Sequence, residues 1–304
     1  MLSHDSTSTD DVDAWMRDKT PGDQPYYQAM AIVFDFDGTI STRDTIAVLG
    51  AYAVSKHGQP DDWDTIVSAY SADYAKYVAE YSPQAVSRTT VEQEMAFLSG
   101  LRSIEVESLK RVQDAGLFRD ITPEEFRQLG EEAVKKSDVQ IRRGFSELLS
   151  LVRRQSWRKA VISINWSEDF IRGCTGSDAA DLDIVANFVE YPTGRVRSRQ
   201  PGSQDENRQP LLTSHDKHMA LQSLVEPGGY LPKDFIYIGD SVTDIECLLA
   251  AKGIVIADDG DSRLVRTLDR LGYTVPHVTT CGPDFKLSWA RDFKEILESG
   301  ILSV

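Results

Sequence analysis

Two short acidic runs constrain this chain more than any other feature of its sequence. Phe34-Asp35-Phe36-Asp37-Gly38-Thr39 lies near the start and Gly239-Asp240-Ser241-Val242-Thr243-Asp244 near the end, each behind an apolar run suited to a buried strand. Four carboxylates are thereby delivered to two strand ends. Gathering them costs like-charge repulsion and desolvation unless a divalent cation or a basic side chain offsets it, or some carboxyls stay protonated. Hard oxygen ligands with no Cys or His cluster beside them favour Mg2+.

The rest of the chain supplies a frame for those strand ends. Residues 1–28 are polar and without periodicity, and read as an N-terminal arm. Ala31-Ile32-Val33-Phe34 reads as a buried parallel strand ending where Asp35 begins. From Thr45 to Val139 helical periodicity takes over, so residues 48–139 read as a helical domain inserted into a core made of 29–47 and 140–304. Within it Gly116 closes a helix from Ile104 to Ala115, and Thr122-Pro123-Glu124-Glu125 opens another with a cap, a first-position proline and a capping-box glutamate.

Beyond Gln140 the pattern alternates, with helices expected at 145–154, 167–174, 217–225 and 243–251 and strands at 160–164, 183–188, 235–238 and 254–257. Such alternation predicts an α/β fold with a Rossmann-like, doubly wound parallel sheet. Tyr191-Pro192-Thr193-Gly194-Arg195 reads as a turn and residues 198–208 as a polar surface loop.

Sites on open parallel sheets lie beyond the carboxyl ends of the strands, where Asp35, Ser163 and Asp240 all fall. With these residues the chain resembles the haloacid dehalogenase-like superfamily, whose four motifs occur here in order over residues 29–304. The resemblance implies that Asp35 is a nucleophile forming an aspartyl-phosphate. It implies that Asp37 protonates the leaving oxygen, later deprotonates water, and offers its backbone carbonyl to Mg2+. Gly38 and Thr39 are then expected to approach the phosphate, Ser163 and Asn165 to bind it, and Lys217 to neutralise charge and restrain Asp35. Asp240 becomes a direct metal ligand, and Asp244 holds a metal-bound water or Lys217. The metal set expected on this resemblance is Asp35, Asp37, Asp240 and Asp244, with Mg2+ as cofactor.

The second aspartate of the first motif disfavours dehalogenation, because the dehalogenases of the superfamily lack it. The helical insertion resembles a C1-type cap, which closes over small substrates. The stretches around Ser163 to Ile171 and Tyr237 to Leu249 resemble the phosphatase half of plant thiamine monophosphate phosphatase and its fungal relatives. The implied activity is Mg2+-dependent hydrolysis of a small soluble phosphorylated metabolite, with thiamine monophosphate or a related compound as the leading substrate. A phosphotransferase or phosphomutase, and a catalytically silent phosphometabolite-binding protein, are the alternatives.

Composition narrows the partners. A formal charge of −15, from 33 basic and 48 acidic side chains, argues against nucleic acid and anionic lipid. Cys174, Cys247 and Cys281 are too few and scattered for a disulfide framework or a zinc site and read as packing residues of a reducing compartment. With no signal-peptide pattern or spanning run, a cytoplasmic protein is expected. Tyr70, Tyr74, Tyr77 and Tyr81 share one helical face, read as core or an inter-helix seam, with a shelf for a flat substrate as the other reading. His215 and His218 read as surface residues or neighbours of the site, and Arg142 and Arg143 as either an anion site or a solvated hinge.

Overall fold

The computed structural model describes residues 30–57, 60–198, 209–225 and 234–302. The arm expected at 1–28, and all of the polar loop expected at 198–208 except Ser198, lie outside the described residues. In chain order, β1 (Ala31–Phe34) leads through the loop Phe36–Ile40 to α1 (Ile46–His57), α2 (Pro60–Glu80), α3 (Val91–Gly100), α4 (Arg102–Asp114) and α5 (Pro123–Lys135). There follow α6 (Phe145–Arg154), β2 (Arg158–Ile162), α7 (Glu168–Thr175), β3 (Asp183–Val185), and the strands β4 (Asn187–Glu190) and β5 (Arg195–Ser198). The chain continues with α8 (Ser214–Val225), β6 (Phe235–Gly239), α9 (Ile245–Ala250), β7 (Lys252–Ile256), α10 (Arg263–Arg270), β8 (Leu287–Ala290) and α11 (Phe293–Ser299). No described helix is long and apolar enough to cross a membrane.

Six strands form one parallel sheet in the order β3-β2-β1-β6-β7-β8. Every residue of β1 and β6 is buried, as a strand covered by helices on both faces requires. Because β1 sits between β2 and β6, the residues that follow these three strands, Asp35, Ser163 and Asp240, emerge side by side. The α/β fold with its parallel sheet is therefore the expected one.

Local sequence explains most helix starts. Thr122 and Glu125 form a reciprocal capping box with Pro123 in the first turn of α5, and Thr90 and Gln93 do the same for α3. Packing then joins the helices to the sheet. One apolar cluster contains Phe34, Val161 and Ile238 from the strands together with Leu49, Val112, Phe118 and Phe126 from the helical stretch. The two passages of chain that connect this stretch to the sheet run side by side. Ser41 bridges Ile141, Thr42 N donates to the Gln140 carbonyl at 2.9 Å, and Arg142 N donates to the Ile40 carbonyl at 2.7 Å.

Some elements differ from expectation. The single strand expected at 183–188 is broken at Ala186 into β3 of the main sheet and β4, which pairs antiparallel with β5 around the expected Tyr191–Arg195 turn. The cause is Asn187, fully buried, whose amide donates to the carbonyls of Ile164 and Leu211 and accepts from Leu211 N. The helix expected at 243–251 opens instead as a 3-10 turn, Val242–Asp244, before α9. The edge strand β8 and helices α10 and α11 carried too short a pattern to be foreseen. Cys174, Cys247 and Cys281 are free thiols, the first two buried in packing roles as expected.

The crossing of α5 over α7 is set by two glycines. A Cβ at Gly130 would lie 2.4 Å from the Phe170 carbonyl oxygen, and one at Gly173 would lie 2.0 Å from that of Arg127. Both obstacles are backbone and cannot rotate away. Gly130→Ala is accordingly expected to destabilise the fold by about 1–3 kcal/mol through overpacking. Urea denaturation checks this against Gly282→Ala, where no atom lies within 4 Å of the new methyl group and stability should hold.

Candidate active site

Asp35 follows β1 directly, and its backbone N donates to the Ile238 carbonyl of β6 at 2.8 Å, which locks the strand end in place. The next turn is possible because Gly38 adopts φ +72°, a region L side chains avoid. A Cβ there would also fall 2.3 Å from an Asp240 carboxylate oxygen, so the loop approaches the second acidic run as closely as a glycine allows. Thr39 Oγ1 donates to Asp240 Oδ1 at 2.8 Å across that gap.

Lys217, on the first turn of α8, joins the two runs. Its ammonium is fully buried and stands 2.8 Å from Asp35 Oδ1 and 2.8 Å from Asp244 Oδ1. The approach to Asp35 lacks hydrogen-bond alignment, so Asp35 Oδ1 is a buried oxygen without an aligned donor. Asp244 is saturated by comparison. Its Oδ1 also accepts from the Tyr237 hydroxyl at 2.7 Å, and its Oδ2 accepts from the backbone N of Asp240 and of Ser241 at 3.2 and 3.1 Å.

These contacts shift the titration of Asp35, Asp240 and Lys217. Burial, reinforced by Asp244 and Asp240, holds the Asp35 carboxyl well above the usual carboxylate range despite Lys217. Burial and Asp244 push Asp240 up to about 7. Burial alone would lower the Lys217 ammonium, but Asp244 and Asp35 outweigh it and raise its pKa above the ordinary lysine value. One lysine thus faces three carboxylates, an excess of negative charge that a cation would relieve.

Asp35, Asp240 and Asp244 each bring an oxygen within 4.8 Å of the others. The donor set is all oxygen, contains Asp35 Oδ1 with no aligned hydrogen-bond donor, and carries surplus negative charge, so it fits a hard divalent ion such as Mg2+. Asp37 is expected to reach the metal through its backbone carbonyl, and its carboxylate turns elsewhere. Its Oδ1 accepts from Thr45 N and Thr45 Oγ1 at 2.9 and 2.6 Å, and its Oδ2 accepts from Asn165 Nδ2 at 2.8 Å. Burial and the charge of Asp44 raise its pKa to about 6 against the lowering effect of the hydrogen bonds from Thr45 and Asn165, although the side chain keeps some access to the cleft.

The remaining expected residues sort by what they touch. Ser163 is fully buried and accepts from Asn165 N at 3.1 Å, a bond that uses a lone pair and not its proton. Asn165, expected to bind phosphate, lines the cleft, where its Nδ2 donates to Asp37 and Thr45 and its Oδ1 accepts from Ser167 N. The Thr39 hydroxyl, likewise expected at phosphate, is committed to Asp240, which leaves its backbone amide for that task. His215 is exposed beside Glu246, as a surface histidine should be.

Two contributors escaped the sequence reading. Thr45 sits just before α1, where a threonine ordinarily reads as a helix cap. Tyr237 is a lone phenol in an apolar strand, and its alternation with Ile236 and Ile238 places it on the face that α8 covers, a signal that was available.

A cleft of about 620 Å3 opens above these groups. Asp35, Asp37, Ser163 and Asp240 lie among its walls together with Trp63, Trp166, Tyr70, Tyr74, Asp44 and Glu105. The tyrosine stripe therefore divides. Tyr70 and Tyr74 stack at 6.3 Å and line the cleft, whereas Tyr77 and Tyr81 pack on Phe97 at 5.3 and 5.0 Å, the seam reading. Tyr70 donates to Glu105 at 2.8 Å.

Comparison with known proteins agrees with this geometry. Residues 32–249 match the family model described as haloacid dehalogenase-like hydrolase. A CTO1 family protein of Schizosaccharomyces pombe is 30% identical over 237 residues, covering 72% of this chain and 78% of that protein. The mitochondrial bifunctional TH2 protein of Arabidopsis thaliana is 22% identical over 264 residues, covering 78% of this chain and 41% of that protein. A solved phospho-aspartyl intermediate analogue of phosphoserine phosphatase superimposes with a TM-score of 0.52 at 18% identity, covering 89% of this chain and 98% of that one. That last likeness is one of fold.

The raised carboxyls set a pH signature for stability. Asp240 keeps its proton in the folded chain up to about 7, while in the unfolded chain it is lost in the ordinary carboxylate range. The folded state binds the extra proton, so metal-free stability falls as pH rises through that window. Millimolar Mg2+ should therefore raise the melting temperature more at pH 7.5 than at pH 5, and Asp240→Asn should flatten both effects. Equal Mg2+ shifts at the two pH values in differential scanning calorimetry would count against a cation in this cluster.

Proposed function

Because the chain belongs to the haloacid dehalogenase-like hydrolase family, we propose that it is a Mg2+-dependent phosphatase that hydrolyses a small phosphomonoester through an aspartyl-phosphate. The observation that carries this reading is the contrast between two carboxyls two residues apart on one loop. Asp35 faces the ammonium of Lys217 and presents an oxygen without an aligned donor, as a nucleophile must. Asp37 is turned away, held by Thr45 and Asn165, and titrates near 6, so both its protonated and its ionised forms are accessible near neutrality.

In the first step an Asp35 oxygen bonds to phosphorus, the bond from phosphorus to the leaving oxygen breaks, and that oxygen takes the Asp37 proton. In the second, the Asp37 carboxylate takes a proton from water, the water oxygen bonds to phosphorus, and the bond to Asp35 breaks to release inorganic phosphate. Lys217 would reduce the repulsion between Asp35 and the incoming anion, and the hydroxyl of Ser163, which lines the cleft, would donate to a phosphoryl oxygen. Mg2+, held by Asp35, Asp240 and the Asp37 carbonyl, would supply the further positive charge that the phosphoryl group needs.

Residues 48–139 would act as the cap. The cleft of about 620 Å3 beneath them suits a small metabolite and not a phosphoprotein. Its aromatic lining from Trp63, Trp166, Tyr70 and Tyr74 favours a flat leaving group. That lining and the sequence resemblance around Ser163 and Asp240 make thiamine monophosphate the first compound to test.

The decisive experiment is phosphate release across a panel of phosphorylated metabolites, with Mg2+ or chelator. Metal-dependent release is expected, and Asp35→Asn should reduce it to background. Asp37→Asn should slow alkyl phosphates by ~10²–10⁴-fold and aryl phosphates with good leaving groups far less. Equal losses on both substrate classes would remove Asp37 as the acid, and no release from any substrate with folded, Mg2+-loaded protein would remove the phosphatase.

A further inference from the structure

Arg142 and Arg143 follow one another where the chain returns from α5 to the sheet, yet their side chains do different things. Arg143 pairs with Asp292 at the surface at 2.7 Å, its side chain two-thirds exposed. Arg142 instead reaches across to the active-site loop. Its Nη2 donates to the Gly38 carbonyl at 2.6 Å, its Nε to the Thr39 carbonyl at 2.9 Å, and its Nη1 to the Arg291 carbonyl at 3.0 Å. Both expectations for Arg142 therefore give way. Its N–H groups are directed at carbonyls and not at an anion, and its half-buried side chain is not a solvated hinge.

The consequences for the loop follow from peptide geometry. Each peptide unit is planar, so fixing the direction of a carbonyl fixes the N–H of the next residue on the opposite side. By holding two successive carbonyls, the guanidinium fixes the peptide planes Gly38–Thr39 and Thr39–Ile40. Those planes carry the Gly38 turn at φ +72° and the Thr39 hydroxyl that holds Asp240. The backbone of Arg142 bonds to the same loop, through its N–H and the Ile40 carbonyl at 2.7 Å. A planar fork suits neighbouring acceptors of this kind, whereas an ammonium is a point donor on a flexible stem.

We propose that Arg142 is a positioning residue of the active site: its guanidinium clamps the Gly38 and Thr39 carbonyls, and through them sets the loop that carries Asp37 and orients Asp240. The kinetic part of this inference rests on the phosphatase reading, and the structural part does not.

The test uses the full chain with Arg142→Ala, Arg142→Lys and, as the surface comparator, Arg143→Ala. Three readouts are taken: hydrogen–deuterium exchange over residues 36–42, melting temperature, and kcat and KM on the best substrate found. For Arg142→Ala, faster exchange confined to that loop is expected, with kcat reduced ~10²-fold, as for a misplacement of about 1 Å, and KM little changed. Low-millimolar guanidinium ion should restore both slow exchange and part of kcat in Arg142→Ala, whereas Arg142→Lys should remain impaired and Arg143→Ala should match the parent.

Wild-type exchange in the loop of Arg142→Ala would overturn the proposal. So would exchange that quickens uniformly across the chain in step with a lowered melting temperature, without guanidinium rescue. If the parent chain releases no phosphate from any substrate, the phosphatase reading fails, and exchange with guanidinium rescue still decides the clamp.

Discussion

The buried ammonium of Lys217 holds the candidate site together. A charge with no exposed surface must be paired, and Lys217 is paired on two sides, by Asp35 at the end of β1 and by Asp244 after β6. Asp244 extends the connection to the Tyr237 hydroxyl and to the backbone of Asp240 and Ser241. Two strand ends and the first turn of α8 are thus fixed by one electrostatic unit. The unit is unbalanced by construction: with Asp240 included, three carboxylates surround one ammonium; burial first and then this imbalance raise Asp35 and Asp240, and the imbalance fits the cluster to a divalent cation.

The same charge placement differentiates the two aspartates of the first motif. Asp35 and Asp37 share a loop and a sequence context, but one is oriented by a cation and the other by a hydroxyl, an amide N–H and a carboxamide. Nucleophile and proton carrier need different environments within a few ångströms. The Gly38 turn, with its positive φ, is the backbone device that points neighbouring side chains into separate surroundings.

Much of this was legible in the sequence because it is local. An apolar run followed by an acidic pair places Asp35 and Asp240 at strand ends without knowledge of the partner strands, and alternation of helices and strands implies the parallel sheet. Orientation was not legible. Asn165 stands beside Ser163 in the sequence, and the partners of its amide, Thr45 and Asp37, are distant in sequence. The strand after α7 looked continuous, and its break depended on Asn187 finding carbonyls of Ile164 and Leu211. Periodicity put four tyrosines on one face of α2 but could not say that the face meets the cleft at Tyr70 and Tyr74 and Phe97 at Tyr77 and Tyr81.

Two kinds of contact join the helical stretch to the sheet. At α5 the union is apolar and close-packed, with Gly130 and Gly173 bringing the backbones of α5 and α7 together and Phe126 entering the shared cluster. Around α2 to α4 polar contacts are added to apolar ones from Phe97, Leu98 and Val112: Arg263 donates to Tyr74 at 2.9 Å, Arg102 pairs with Asp216 at 2.6 Å, and Arg270 pairs with Glu94 at 3.0 Å. Dispersion in a close crossing falls away within an ångström, and the Arg270 pair with buried Glu94 is costly to break, whereas partly exposed contacts such as Arg102 with Asp216 and Arg263 with Tyr74 can exchange their partners for water at small net cost. The wall of the cleft at Tyr74 therefore includes the more exchangeable contacts, and the crossing of α5 over α7 the less exchangeable ones.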